Sequence, residues 1–349
     1  MELLKEKKVL NIALVGLGRI AKKHIEAINE IDGLKLVATS DIDHLKRVDG
    51  ILCYNDFHTM LKNEDVDIVS ILTPSGMHYA QAIEIIKYKK HLIIEKPMAL
   101  RYDEALHILD MAQKYGVRVF TVKQNRFNLP IKKLKEAIDS KKFGKIVLGA
   151  VRVRWCRTQK YYDMDDWRGT WRYDGGVLAN QAIHHIDLLE WIIGEVESVY
   201  AISSTSLVNI EVEDTAVALI EFKNGAKGVI EATTATRPRD IEGSLSVLGE
   251  NGSVEIGGFA VNKIAHWEFK DENIDKEKFS QNPPNVYGFG HKEFYADVVN
   301  SILNDTPALT EGAEGARSIR LMNALYESIA SGKKIYLDNF KIDKASIGK

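Results

Sequence analysis

The chain has 349 residues, 45% hydrophobic and 28% charged, with a formal net charge of −2. At roughly 100–200 residues per domain the length points to two domains, and the small net charge removes any bulk electrostatic case for binding nucleic acid or a membrane surface. The two cysteines, Cys53 and Cys156, lie far apart without metal-ligand spacing, which excludes a disulfide framework and fits a reducing cytoplasm. The opening MELLKEKK has no long apolar core behind it, so no signal peptide is expected. No apolar run approaches the roughly 18 residues that a membrane span needs.

The first third alternates short β-rich runs with helical stretches. Strands are expected at 10–15, 34–40, 67–72, 91–95 and 117–122, and helices at 20–30, 78–89 and 101–115. The strands are almost continuously apolar, as parallel strands buried on both faces are. This alternation predicts a doubly wound α/β domain over residues 1–123. A helix at 129–139 leads into a strand-dominated region: 146–155, 196–203, 215–222, 227–234, 243–248 and 253–256. The Asn224-Gly225 pair marks a hairpin. Consecutive hairpins predict a mostly antiparallel sheet for a second α+β domain, 124–349, with one long helix at 176–193 inserted. Helices at 292–303 and 312–330 close the chain.

The first strand runs into GLGRIA, a G-x-G-x-x-A turn with Gly16, Gly18 and Ala21. It follows a strand and opens a helix, as a dinucleotide fingerprint must. Gly16 permits the tight turn, and Gly18 lets the backbone approach a pyrophosphate at the positive end of the helix dipole. Leu17, Arg19 and Ile20 complete the loop. Asp41, at the end of the second strand, can accept hydrogen bonds from the adenosine ribose and would repel a 2′-phosphate, which favours NAD over NADP. A glycine turn followed by a surface aspartate is the competing reading. The third strand ends in TPSG, where Thr73, Pro74 and His78 are expected beside the cofactor; His78 reads equally as a surface residue. Glu95, Gln124, Trp167 and Arg168 complete the expected cofactor contacts.

HLIIEKPMAL reads as a buried strand ending in Glu95-Lys96-Pro97. A lysine there is poorly explained by packing. It can bond a substrate hydroxyl and assist proton transfer if partial burial lowers its pKa. A structural Glu95–Lys96 ion pair is the alternative. In DGGVLANQAIHHIDLLEW, Asn180 and His184 are four apart and share a face if the segment is an α-helix, with Asp187 nearby. His184 can exchange a proton with a reacting hydroxyl, with Asn180 lending a hydrogen bond. A buried structural histidine competes with that role. A metal at His184 and Asp187 lacks evident third and fourth ligands, so none is expected. Between these pieces lies an aromatic and basic stretch. Arg157, Tyr161, Tyr162 and Arg168 are expected to bind substrate there, because arginine grips carboxylate and phosphate bidentately. Arg152 and Arg154 read as the solvent face of a strand.

VGLGRIAKKH, ILTPSGMHY, EKPMAL, NRFNLPIKKLKEAID and GGVLANQAIHHIDLLEW together resemble the Gfo/Idh/MocA oxidoreductase family. The resemblance covers nearly the whole chain and places the family's reactive lysine on Lys96 and its active-site histidine on His184. Many members carry Asp four residues before that histidine, where this chain has Asn180. The stretch from VRVRW to LLEW is most similar to the bacterial UDP-N-acetylglucosaminuronate 3-dehydrogenases of surface-polysaccharide (lipopolysaccharide) sugar biosynthesis. The resemblance therefore implies NAD, a nucleotide-sugar substrate, 2-oxoglutarate as re-oxidant of the bound cofactor, and a cytoplasmic homodimer or homotetramer. An inositol or free-sugar dehydrogenase and a non-catalytic NAD-binding regulator are the alternative expectations.

Overall fold

The computed structural model describes residues 9–270 and 274–349; the opening MELLKEKK lies outside them. The chain forms two compact units. The first comprises the residues up to Ala99, Asp103–Lys123 and His291–Arg317; the second comprises Leu100–Tyr102, Gln124–Gly290 and Ser318–Lys349. One crossing falls between Lys123 and Gln124. The sequence boundary nevertheless assigned 291–317 to the second domain, and these residues belong to the first unit. Nothing in the local pattern of a C-terminal helix shows which sheet it will cover.

The first unit is built on six parallel strands in the order β3-β2-β1-β4-β5-β6. They are β1 (Leu10–Val15), β2 (Leu34–Ser40), β3 (Leu52–Tyr54), β4 (Ile68–Ile71), β5 (His91–Ile94) and β6 (Val119–Thr121). Every residue of β4 and β5 is buried, as the apolar runs require of strands covered on both faces. The helices are α1 (Ala21–Asn29), α2 (Phe57–Asn63), α3 (His78–Ile86) and α4 (Tyr102–Tyr115), the last starting in the short 100–102 segment of the other unit. Strand order reverses between β1 and β4, and ligands of open α/β sheets bind at the carboxyl ends beside such a reversal. The short β3 and α2 were not expected from the sequence.

The second unit holds eight strands in the order β13-β12-β11-β7-β10-β9-β8-β14. They are β7 (Ile146–Arg154), β8 (Val196–Ser204), β9 (Thr215–Phe222), β10 (Lys227–Thr233), β11 (Glu242–Gly249), β12 (Gly252–Gly257), β13 (Lys263–Phe269) and β14 (Ile335–Tyr336). All neighbours are antiparallel except β7 and β10, which run parallel from Leu148↔Lys227 to Arg154↔Thr233. The β9–β10 hairpin turns where expected: Gly225 has φ +88°, and Ala226 N–H donates to Asn224 Oδ1 at 3.0 Å. The helices are α5 (Leu129–Asp139), α6 (Gln159–Tyr162) and α7 (Ile183–Ile193); α8 (Gly290–Asn304) and α9 (Gly312–Ser331) follow the sheet. Helix α7 lies against β7 and β11 and is buried along most of its length. The opposite face of the sheet leaves Tyr200, Ile202, Val217 and Leu219 exposed. Arg152 and Arg154 share that face with Glu231, Glu242 and Glu255, to which they are paired, in agreement with the solvent-face reading.

The expected single helix over 176–193 is instead two pieces. Residues Val177–Gln181 make a π-helical turn, with Ala182 N–H donating to Val177 O at 2.7 Å, and α7 starts at Ile183. Single π turns are uncommon and occur frequently at functional sites. Among the described residues no helix is long and apolar enough to cross a membrane.

Candidate active site

The glycine turn between β1 and α1 is set by close contact with the turn after β4. Gly16 has φ +94°, and a Cβ on it would stand 2.9 Å from Thr73 Cγ2 and 3.0 Å from the Leu72 carbonyl carbon, so only glycine fits. A Cβ on Gly18 would meet nothing within 4 Å, which leaves its backbone open to a ligand. Asp41 closes the loop from the side. Its Oδ2 accepts from Leu17 N–H at 2.6 Å and its Oδ1 from Asp43 N–H at 2.8 Å. A carboxylate has about four lone-pair sites, so two remain for ribose hydroxyls. The residues therefore fit a dinucleotide with an unmodified ribose. Lys46 Nζ, 3.8 Å from Asp41 Oδ1, is a cation that the sequence reading did not single out.

His78 is buried and lies on neither the surface nor an open ligand edge. Its Nδ1 is 2.7 Å from Pro97 O and its Nε2 is 2.8 Å from Thr73 O. Burial lowers its pKa, while the two carbonyls oppose that shift. With both ring nitrogens engaged, His78 ties the TPSG turn to the EKP turn. Thr73 Oγ1 donates to Gln81 Oε1 at 2.6 Å, and Pro74 precedes the short helical turn at Ser75–Met77.

The EKP turn is anchored from within. Glu95 accepts from His24 Nε2 at 2.9 Å through Oε1 and from Lys96 N–H at 2.9 Å through Oε2. Burial pushes the Glu95 carboxyl up, but its hydrogen bond to His24 and the positive charges beside it outweigh this and hold it at about 2. The Glu95 carboxylate thus bonds the backbone of Lys96. The Lys96-Pro97 peptide is cis. His24 Nδ1 is 2.6 Å from Tyr295 Oη. Potential ligand atoms of His24, Glu95 and His291 lie within 4.8 Å of one another. His24 has both ring nitrogens in hydrogen bonds, so this cluster is a hydrogen-bonded anchor beneath Lys96.

In the second unit, His184 Nε2 is 3.1 Å from the Gln124 side-chain nitrogen, which makes the ring nitrogen the acceptor. The π turn separates Asn180 from α7, so the simple four-residue spacing does not describe their relation. Asn180 donates to Asp174 Oδ1 and accepts from Gln181 Nε2 at 3.0 Å. Asp174, missed by the sequence reading, sets a buried carboxylate against the amide that replaces the family's aspartate. Arg157 was expected to be available for an anion. Instead it pairs with Asp240 at 3.0 Å and donates to Gln181 Oε1 at 3.1 Å. Arg168 bonds Asp165 at 2.8 Å and Tyr161 Oη at 2.8 Å, and its guanidinium centre is 4.3 Å from the Trp167 ring centroid. Asp240 and Asp165 therefore partly neutralise the two arginines. Tyr161 Oη also accepts from Gln181 Nε2 at 3.0 Å, while Tyr162 Oη is 3.1 Å from Thr234 Oγ1. Asp187 is paired with Arg126 at 2.8 Å. His185 is fully buried under β11 with its ring edge-on to Trp155.

The π turn rests on Glu213. Its Oε1 accepts from Leu178 N–H at 3.0 Å and Tyr326 Oη at 2.9 Å, and its carbonyl accepts from Val177 N–H. A Cβ on Gly176 would stand 2.1 Å from Glu213 Oε2, which explains the second glycine of the GG pair. Burial pushes the Glu213 carboxyl up to about 7. The folded state therefore holds a proton that the unfolded chain releases near pH 4.5, and this contribution to stability is lost as pH rises toward 7. Relative to Glu213→Gln, the wild type should lose about 3 kcal/mol between pH 5 and pH 8. Denaturant titrations at the two pH values measure it, and an unchanged difference rejects the assignment.

Residues 10–123 match the model of the oxidoreductase family's NAD-binding Rossmann fold, and residues 135–337 match that of its C-terminal α/β domain. The chain belongs to the Gfo/Idh/MocA oxidoreductase family. Its cofactor is NAD, which the glycine loop and Asp41 fit. A Gfo/Idh/MocA chain of similar structure is the WlbA dehydrogenase from Bordetella pertussis, crystallised with NADH and UDP-GlcNAcA: 39% identity, TM-score 0.91, covering 96% of this chain and 99% of that one. The WlbA dehydrogenase from Chromobacterium violaceum, in complex with the same two ligands, has 40% identity and a TM-score of 0.89, covering 97% and 98%. Among curated relatives, the myo-inositol 2-dehydrogenase of Thermotoga maritima is 27% identical, with coverage of 94% and 99%.

Proposed function

We propose that this protein oxidises the 3-hydroxyl of a UDP-linked N-acetylhexosaminuronate, using NAD as hydride acceptor. The observation that carries this reading is near-full-length similarity at 39–40% identity to two dehydrogenases crystallised with UDP-GlcNAcA. Inositol dehydrogenases are the second reading, supported by the 27% identical relative. The arginine and tyrosine cluster of the second unit favours the charged substrate. Arg168 and Tyr161 are held together at 2.8 Å, a prepared surface for a sugar ring and a carboxylate.

In this reading NAD, when bound, takes the hydride from the sugar carbon. Lys96 bonds the reacting hydroxyl and receives its proton, with its backbone fixed by Glu95. In the second unit His184 exchanges a proton with a sugar hydroxyl, and Asn180, held by Asp174, orients the sugar. In the first unit Thr73, Pro74 and Glu95 line the cofactor, and in the second Arg157 and Tyr162 shape the sugar site. The enzyme acts in the cytoplasm as a homodimer or homotetramer through its open sheet face. There 2-oxoglutarate re-oxidises NADH in place, supplying nucleotide sugars for lipopolysaccharide. The deciding experiment compares UDP-N-acetylglucosaminuronate with UDP-N-acetylglucosamine, which lacks the carboxylate. The uncharged analogue should lose about 2–5 kcal/mol in kcat/KM. Equal activity on both, or preference for free inositol, overturns the substrate.

Asp41 gives a second test. Asp41→Ala removes the ribose acceptor and the charge that repels a 2′-phosphate. NAD should bind about tenfold or more weaker, since a hydrogen bond to a charged group contributes about 1.5–3 kcal/mol. The preference over NADP should narrow. A wild-type preference for NADP would remove Asp41 from this role.

A further inference from the structure

The second unit contains a cavity of about 700 Å³ between the β10–β11 loop, the β12–β13 turn and the 282–283 segment. Its wall carries two cations, Arg239 and Lys263, with Asn282 beside them. Phe259, Ile241 and Pro283 give it an apolar side. The size lies within the range of small-molecule sites.

The walls are pre-formed. Asn262 N–H of the β12–β13 turn donates to Gly257 O at 3.1 Å, its side chain donates to Gln281 O at 2.7 Å, and Gln281 N–H returns to Asn262 O at 2.8 Å. Gly243 N–H donates to Gly258 O at 2.8 Å, which joins the turn to β11. The single acid on the wall, Asp240, is already committed: Cys156 N–H at 2.6 Å and Arg157 Nη1 at 3.0 Å both donate to its Oδ1. It therefore does not neutralise Arg239 or Lys263, and among the described residues neither cation has an ion-pair partner. Two unneutralised cations facing an aromatic ring suit an anion attached to a flat base.

A chain of hydrogen bonds within the same unit joins the cavity wall to the expected sugar site. Asp240 bonds Arg157, Arg157 bonds Gln181, and Gln181 bonds Asn180. We infer that this cavity holds the nucleoside diphosphate end of the substrate, with Arg239 and Lys263 on the phosphates and the base against Phe259. This rests on the nucleotide-sugar reading above and assigns it a second subsite.

The test uses the full-length protein and UDP as probe, with ADP as control. UDP should compete with UDP-N-acetylglucosaminuronate but not with NAD, and ADP should not compete with the sugar nucleotide. Both cations are exposed, so the double variant Arg239→Ala/Lys263→Ala should fold with an unchanged Tm. Its KM for the sugar nucleotide and its inhibition constant for UDP should each rise at least 30-fold, with kcat falling far less and the KM for NAD held within twofold. A KM and a UDP constant within twofold of wild type overturn the subsite. If the wild type oxidises no UDP-sugar, direct calorimetry with UDP separates the cases. UDP binding that the double variant loses keeps the cavity and discards the substrate; no UDP binding to the wild type discards the cavity.

Discussion

Lys96→Ala should lower turnover by at least about 100-fold, the scale on which positioned proton transfer contributes, while NAD still binds. The argument starts from the strand. β5 is buried throughout, and the chain leaves it through Glu95, whose carboxylate is fixed on one side by His24 and on the other by the Lys96 amide. The backbone of Lys96 is therefore held at the carboxyl end of the strand, where ligands of such sheets bind. The NAD contacts proposed for the glycine turn and Asp41 lie elsewhere in the first unit, so binding and turnover should separate. Single-turnover kinetics with NAD binding measured in parallel reads this, and turnover within tenfold of wild type would exclude Lys96 from proton transfer. Lys96→Arg should not rescue activity, because guanidinium stays protonated and cannot take a proton.

Asp187→Ala should cost about 3–5 kcal/mol of stability, because it removes a carboxylate that takes two hydrogen bonds from a buried guanidinium. Arg126 is 1% exposed and donates to both carboxylate oxygens, at 2.9 and 2.8 Å; Ser318 Oγ adds a third bond at 2.8 Å. The guanidinium also lies 4.7 Å from the Trp191 ring centroid. The double variant Arg126→Met/Asp187→Leu should recover most of the loss, since apolar side chains of similar volume replace buried ion pairs at little cost. Chemical denaturation distinguishes the two, and a single variant within 1 kcal/mol of wild type would refute the account.

The features read correctly from the sequence are those carried by neighbours in the chain. A strand, a glycine turn and a helix start occupy consecutive residues, so the nucleotide loop and Asp41 were legible; so was the Asn224-Gly225 hairpin. Features set by distant partners were not. Arg157 looked like a free anion ligand because Asp240 is 83 residues away. The parallel pairing of β7 with β10 has no local signature, since apolar alternation is the same in either direction. The π turn at Val177–Gln181 depends on Glu213 and Tyr326, neither near it in sequence. His78 was ambiguous because burial depends on where the EKP turn places Pro97.

The return of residues 291–317 to the first unit bears on how the protein is made. His24 and Glu95 leave the ribosome early, but Tyr295, which closes their buried cluster, follows only after the whole β7–β13 sheet has been synthesised. At about 5–20 residues per second, the roughly 170 intervening residues take about 10–30 s. During that interval the dinucleotide unit has all six strands of its sheet but lacks the residues 291–317 that complete it. The second unit is likewise open until Ser318–Lys349 arrives. Neither unit can be released as a finished domain ahead of the other, so synthesis ends with both closing almost together. A break in translation between Gln124 and Arg317 leaves both units incomplete.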